Sequence, residues 1–250
     1  MPHVKVLSIK SELEFAENVF SYLQGEMERR GELFKGNEIT AVQNFHDYNN
    51  LPGIDRLPRL IVIVDEFQKL FEDLNKADVF KSLVSDVGKR GRSFGINMIF
   101  STQALGGVNV GSALGEFGLR ISMQLNSEME CSRILGQGNF APRLFCKKGE
   151  SVYCPGGIEL NNSLYQVAYL GDAKIKEVLI SLKERFGNSE QHKFPRYIFD
   201  GDSPTDCSDN KLYPNTDSPV SGKLSVFLGA PYALEDEHTS YNIKRDTGVH

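Results

Sequence analysis

The spacing of apolar and polar positions along the chain switches between helical and strand periods. Val4 to Ile9 reads as a short strand. Ser11 then opens a Ser-x-x-Glu capping box with Glu14, ahead of a stripe at Ala16, Val19, Phe20, Leu23 and Met27. That i, i+3, i+4 spacing predicts a helix with one buried face, with Glu28, Arg29 and Arg30 beyond it on the polar side. Residues 36–58 mix Asn, Gly, Pro and charge without a period and read as a loop or short helix. Leu60 to Val64 is an unbroken aliphatic run, which predicts a strand buried on both faces and so a parallel sheet. Ala77, Phe80, Val84 and Val87 predict a helix over 77–87, and a glycine-containing turn over 89–95 leads to a second strand, Ile96 to Phe100. Strand, helix, strand is a βαβ unit with a right-handed crossover. Further apolar segments at 119–125, 151–153 and 164–170, with a helix over 173–186, complete one α/β domain across 1–186. From 187 to 222 Asn, Ser, Asp, Pro and Gly dominate, a linker composition, and strand-like alternation resumes over 223–250 as the start of a further unit.

Composition narrows the class without naming a function. At 250 residues, with 40% hydrophobic and 24% charged, the chain is long enough for one core and part of another, and it is not collagenous, membrane-embedded or wholly disordered. A net charge of −5 excludes a global basic field. Any nucleic-acid contact then rests on local clusters such as Lys89 to Arg92 and Arg143 to Lys148, which also fit ordinary solvated loops. The four cysteines form no C-x-x-C pair, and the five histidines show neither metal spacing nor a triad partner. No run approaches the roughly 18 to 20 apolar residues that span a bilayer. The expected location is the cytoplasm, with any tether to the inner face of a membrane lying outside these residues.

The chemistry concentrates at the ends of the two predicted strands. Five aliphatic residues followed by Asp65-Glu66 match the Walker B pattern, in which a strand aims an Asp at a Mg²⁺ shell and the next carboxylate polarises the attacking water. The same pattern fits a buried strand whose acidic end caps the following helix. Thr102 and Gln103, at the carboxyl end of the second strand, are expected beside Asp65 to bind nucleotide and to sense its γ-phosphate or orient water; a polar strand end exposed to solvent fits the same residues. A phosphate cradle of the form G-x-x-x-x-G-K-[ST] does not occur in the 250 residues: neither the glycines at 106, 107, 111 and 115 nor those at 136 and 138 precede a Lys-Ser/Thr pair.

Five segments in order carry a resemblance: MPHV followed by a helix ending EMERRGELF, then LIVIVDEF, GRSFGINMIFSTQ, LRISMQLNSEMECSRILG and KKGESVYCPGG. Over residues 1–157 the chain resembles the FtsK/SpoIIIE family of hexameric DNA-translocating ATPases, downstream of their Walker A motif. The resemblance implies a RecA-like P-loop α/β core, a mostly parallel sheet flanked by helices and incomplete on its N-terminal side. It implies ATP and Mg²⁺ as cofactors, Asp65 as the metal and nucleotide residue, Glu66 as the catalytic acid and Gln103 as the polar sensor. Arg92, Arg120 and Arg133 stand where the family carries arginines, and Arg92 is preferred as a finger acting across a ring interface. The tail SVFLGAPYALEDEHTSYNIKRDTGVH resembles the lead-in to the phosphate loop of a following module. The implied activity is ATP-driven movement of double-stranded DNA through a ring, expected to be absent from this piece alone. Type VII secretion ATPases resemble the same family and move protein substrates, and the GRSFG wording and the tail favour them. A degenerate module that binds partners without turnover is the third reading. DNA translocation, as the family's broader role, is the expectation adopted.

Overall fold

A computed structural model describes residues 4–8, 13–36, 42–186, 197–199, 223–229 and 239–244. The chain divides into two units, Met1–Val19 with Leu182–His250, and Phe20–Ser181. In the first, strand β1 (Val6–Ser8) pairs in parallel with β7 (Tyr197–Phe199), so three residues of the span read as linker are a strand. There too, β8 (Lys223–Gly229) and β9 (Thr239–Lys244) pair antiparallel. Helix α1 (Leu13–Lys35) follows the predicted stripe, with Phe20, Leu23 and Met27 buried; Ser11 of the predicted capping box lies outside the described residues.

The second unit carries the candidate site. Helix α2 (Phe45–Asn49) is the short helix of the 36–58 stretch, capped by Asn44, whose side chain accepts from the backbone N–H groups of His46 and Asp47. Strand β2 (Leu60–Val64) leads through a 3-10 turn at Phe67–Phe71 to helix α3 (Leu74–Arg90), and strand β3 (Ile96–Phe100) pairs with β2 in parallel, Leu60 opposite Ile96 through Val64 opposite Phe100. This is the predicted βαβ unit. Strands β4 (Leu119–Ser122), β5 (Glu150–Pro155) and β6 (Ser163–Gln166) form an antiparallel sheet, with helix α4 (Glu128–Leu135) between the first two and α5 (Asp172–Phe186) after the third.

Packing explains why these segments hold. Ala77, Phe80, Val84 and Val87 of α3 are all buried, as their spacing requires, and Phe80 meets Phe20 of α1 edge to face at 6.4 Å. Phe100 lies between Phe67 and Phe117, at 5.2 and 4.8 Å between ring centres, which closes the inner face of the β2–β3 pair. The outer face differs from expectation. Ile61, Ile63 and Ile99 are 58, 69 and 53% exposed, so β2 is covered on one face and not on both. The aromatic residues and α3 cover only the side on which Leu60, Val62 and Val64 lie, and no described element lies over the other.

One further departure helps fix the turn that carries Arg92. Arg30, read as a polar-face residue, is 0% exposed. Its Nε donates to Glu26 Oε1 at 2.7 Å and its Nη1 to the Phe94 carbonyl at 2.6 Å, so a charged side chain ties α1 to the end of the turn Gly91–Phe94. Phe34 stacks on Phe94 at 5.7 Å. Gly95 then closes the turn at φ +76, where a Cβ would stand 2.4 Å from the Phe45 ring, so both the backbone and the space require glycine.

Candidate active site

The parallel register brings the predicted residues to one edge. Asp65 follows the last residue of β2 and Ser101 the last of β3, and the ladder continues between them: Ser101 N–H donates to Val64 O at 2.9 Å and Phe67 N–H to Ser101 O at 3.1 Å. On the side chains, Ser101 Oγ donates to Asp65 Oδ1 at 2.6 Å, and that same oxygen accepts from the Glu66 backbone N–H at 3.1 Å. Asp65 is exposed, and its Oδ2 accepts no bond among the described residues. A carboxylate with one oxygen anchored and the other open to solvent is the hard-donor arrangement Mg²⁺ takes when water and phosphate oxygens supply the rest of its shell. Among the described residues no group of three His, Cys, Asp or Glu side chains forms a cage by itself. The residues present therefore fit the metal side of a nucleotide site.

Glu66 adopts φ 50, ψ 47, the single positive φ outside glycine among the described residues. Such a backbone costs about 1 to 3 kcal/mol and persists where surrounding contacts impose it. Its Oε2 accepts from Gln68 Nε2 at 2.5 Å, while Gln68 Oε1 lies 2.5 Å from Thr102 Oγ1. Thr102 Oγ1 is also 2.9 Å from the Ala104 carbonyl. Gln103 is exposed and bonds to neither acid among the described residues. Asp65, Glu66 and Thr102 thus converge, with Thr102 reaching Glu66 through Gln68 and not touching Asp65. Sequence reading set Ser101 at the polar end of the second strand without giving it a role, and missed Gln68. The strand register, which sets Ser101 opposite Asp65, is the signal that points to the former; for Gln68 no sequence signal exists.

The three candidate arginines separate cleanly. Arg120 donates to the carbonyls of Phe117, Ile134 and Leu114 at 3.4, 3.3 and 3.2 Å, and Arg133 to those of Gly106 and Val108. Both guanidinium groups are consumed in holding loops of their own chain. Arg92 is exposed on the Gly91–Phe94 turn; its carbonyl accepts from the Gly95 N–H at 3.1 Å, while its guanidinium makes no hydrogen bond or ion pair among the described residues. Three of the six cations in the basic clusters are paired: Arg90 with Asp86 at 2.7 Å, Lys89 with Glu116 at 3.6 Å, and Arg143 with Glu128. No helix among the described residues is long and apolar enough to cross a membrane.

Comparison with known proteins agrees with the sequence resemblance. No protein-family model matches the chain. DNA translocase FtsK of Shewanella oneidensis is 24% identical over 206 residues, 72% of this chain and 22% of that protein. ESX secretion system protein EccC of Geobacillus thermodenitrificans is 26% identical over 173 residues, 67% of this chain and 11% of that protein. The chain thus spans a quarter or less of the length of these relatives. Among solved structures, the cytoplasmic domain of the Thermomonospora curvata type VII secretion ATPase EccC superposes with a TM-score of 0.65 at 20% identity, over 93% of this chain and 28% of that one. The pCW3 conjugation coupling protein TcpA, in a structure with ATPγS, gives 0.55 at 23% identity, over 69% and 50%. The chain has the RecA-like P-loop α/β fold, and it is a relative of the FtsK/SpoIIIE DNA translocases and the EccC secretion ATPases.

Proposed function

We propose that the chain supplies the Walker B half of a motor ATPase site, in a protein that couples ATP hydrolysis to movement of double-stranded DNA through a ring. The observation that carries the reading is the strand-end pair: Asp65 locked by Ser101 at 2.6 Å, with Glu66 next to it on a backbone forced to positive φ. Bound Mg²⁺–ATP supplies a γ-phosphoryl group whose charge the metal offsets. Asp65 is the residue that would hold that ion, through its open oxygen. Glu66, one residue on, orients the attacking water and accepts its proton. Gln103, exposed at the end of β3, is the candidate sensor, with Thr102 anchoring the same strand end. Arg92, whose guanidinium has no partner among the described residues, is the candidate finger across a subunit interface. A phosphate loop is needed from outside the 250 residues, since no such motif occurs within them. The isolated chain should therefore turn over ATP negligibly.

The test is ATP turnover by the longest natural protein that carries this sequence, with and without duplex DNA, beside Glu66→Gln. DNA-stimulated turnover that the substitution abolishes supports the DNA motor. Glu66-dependent turnover indifferent to DNA moves the assignment to protein secretion, the role named for the EccC relatives. No turnover leaves a partner-binding module.

A further inference from the structure

We propose that Gln68 is a positioning residue for the hydrolytic carboxylate, tying Glu66 to the end of β3 through Thr102. This deepens the ATPase reading and rests on it. Two distances define the relay, Gln68 Nε2 to Glu66 Oε2 at 2.5 Å and Gln68 Oε1 to Thr102 Oγ1 at 2.5 Å, and beside it Ser101 Oγ stands 2.6 Å from Asp65 Oδ1 on the neighbouring residue of the same strand end. A primary amide does not titrate at working pH, so Gln68 holds the carboxylate without competing for its proton. It engages one oxygen only. Glu66 Oε1 accepts no bond among the described residues and is left to receive a proton from water.

The anchor is stiff because of where Gln68 sits. It is the second residue of the Phe67–Phe71 turn, whose Phe67, Leu70 and Phe71 are buried, and Phe67 stacks on Phe100 of β3. The long Glu66 side chain is thereby fixed from a packed turn and not left to its own rotamers. The positive φ at Glu66 turns the chain so that residue 66 and residue 68 meet across that turn. Both acids of the site are in this way registered to one strand end, Asp65 directly and Glu66 through an amide.

Two measurements test this. In the longest natural protein, Gln68→Met and Thr102→Val each lower kcat, by about tenfold to hundredfold for Gln68→Met as expected for a displaced reacting group, with KM for ATP within about twofold. The double variant is no slower than Gln68→Met, because both break one chain of contacts, and Thr102→Ser, which keeps the hydroxyl, recovers most of the rate that Thr102→Val loses. In the 250-residue chain without nucleotide, the side-chain amide of Gln68, followed by ¹⁵N–¹H NMR, has a downfield, slowly exchanging proton. Glu66→Ala and Thr102→Val each move that amide toward the position of a free glutamine. Glu66-dependent turnover that Gln68→Met leaves intact, or an amide signal indifferent to Glu66→Ala, overturns the positioning role alone. Absence of Glu66-dependent turnover overturns the ATPase reading and the positioning role with it.

Discussion

Replacing Arg30 by methionine tests whether a buried charge holds the turn that presents Arg92. The substitution keeps most of the aliphatic stem and removes the guanidinium. Two bonds disappear: Nε to Glu26 Oε1 at 2.7 Å and Nη1 to Phe94 O at 2.6 Å. Bonds to charged groups contribute about 1.5 to 3 kcal/mol each, so the gross loss is about 3 to 6 kcal/mol. Two effects offset it. Glu26 keeps Arg29, which donates to its two oxygens at 2.6 and 2.8 Å, so no carboxylate is left alone. Arg30 Nη2 is buried with no partner among the described residues, and its removal recovers about 1 to 3 kcal/mol. The mid-range values, about 4.5 less about 2, leave a net expectation of about 2 to 3 kcal/mol of destabilisation. Urea unfolding should show a midpoint lower by about 1 M with an unchanged slope, taking a slope of about 2 kcal/mol/M. The effect also has a pH signature. Burial pushes the Glu26 carboxyl up, but the hydrogen bonds from Arg29 and Arg30 and their charges outweigh it and hold the pKa below the ordinary glutamate value. A depressed carboxylate contributes stability above its unfolded pKa and loses it as pH falls through the folded one. The difference between wild type and Arg30→Met is therefore full at neutral pH and shrinks below the ordinary glutamate range. A variant whose midpoint matches wild type to within about 0.2 M at neutral pH would refute the reasoning.

Three further outcomes follow from the packing and the strand ends. Gly95→Ala should cost more than about 2 kcal/mol by the same urea assay, because it combines a positive φ with a 2.4 Å approach to Phe45. Phe80→Ala should cost about 3 to 5 kcal/mol, since the ring is fully buried against Phe20. Ser101→Ala should lower turnover of the natural protein, as the Asp65 carboxylate loses its 2.6 Å anchor, while stability changes by less than about 1 kcal/mol because the pair is exposed.

What the sequence disclosed follows a physical pattern. The α3 stripe was readable because its four apolar residues fall on one helical face and all four are buried. The βαβ unit was readable from two aliphatic runs around that helix, and the acids at the first run's end from their contrast with it. Arg30 was not readable: a charged residue beyond a stripe is by default solvated, and only the approach of Glu26, Phe94 and Phe45 makes its burial tolerable. The two-sided burial expected for β2 failed because an unbroken aliphatic run shows what a strand can bury, not whether both covering layers are supplied. Thr102 was correctly located at the strand end, but its partner Gln68 is set by a turn geometry that local residue preferences do not encode. The choice among Arg92, Arg120 and Arg133 likewise required knowing which carbonyls each side chain reaches.

The central claim is that Glu66 serves the chemical step and not nucleotide binding. The most direct measurement follows both in one preparation of the longest natural protein: affinity for a fluorescent ATP analogue and steady-state ATP turnover, for wild type and Glu66→Gln. The account predicts affinity within about threefold and turnover lower by at least about a hundredfold, the signature of an interaction made in the transition state. Turnover retained in Glu66→Gln at unchanged affinity would contradict it.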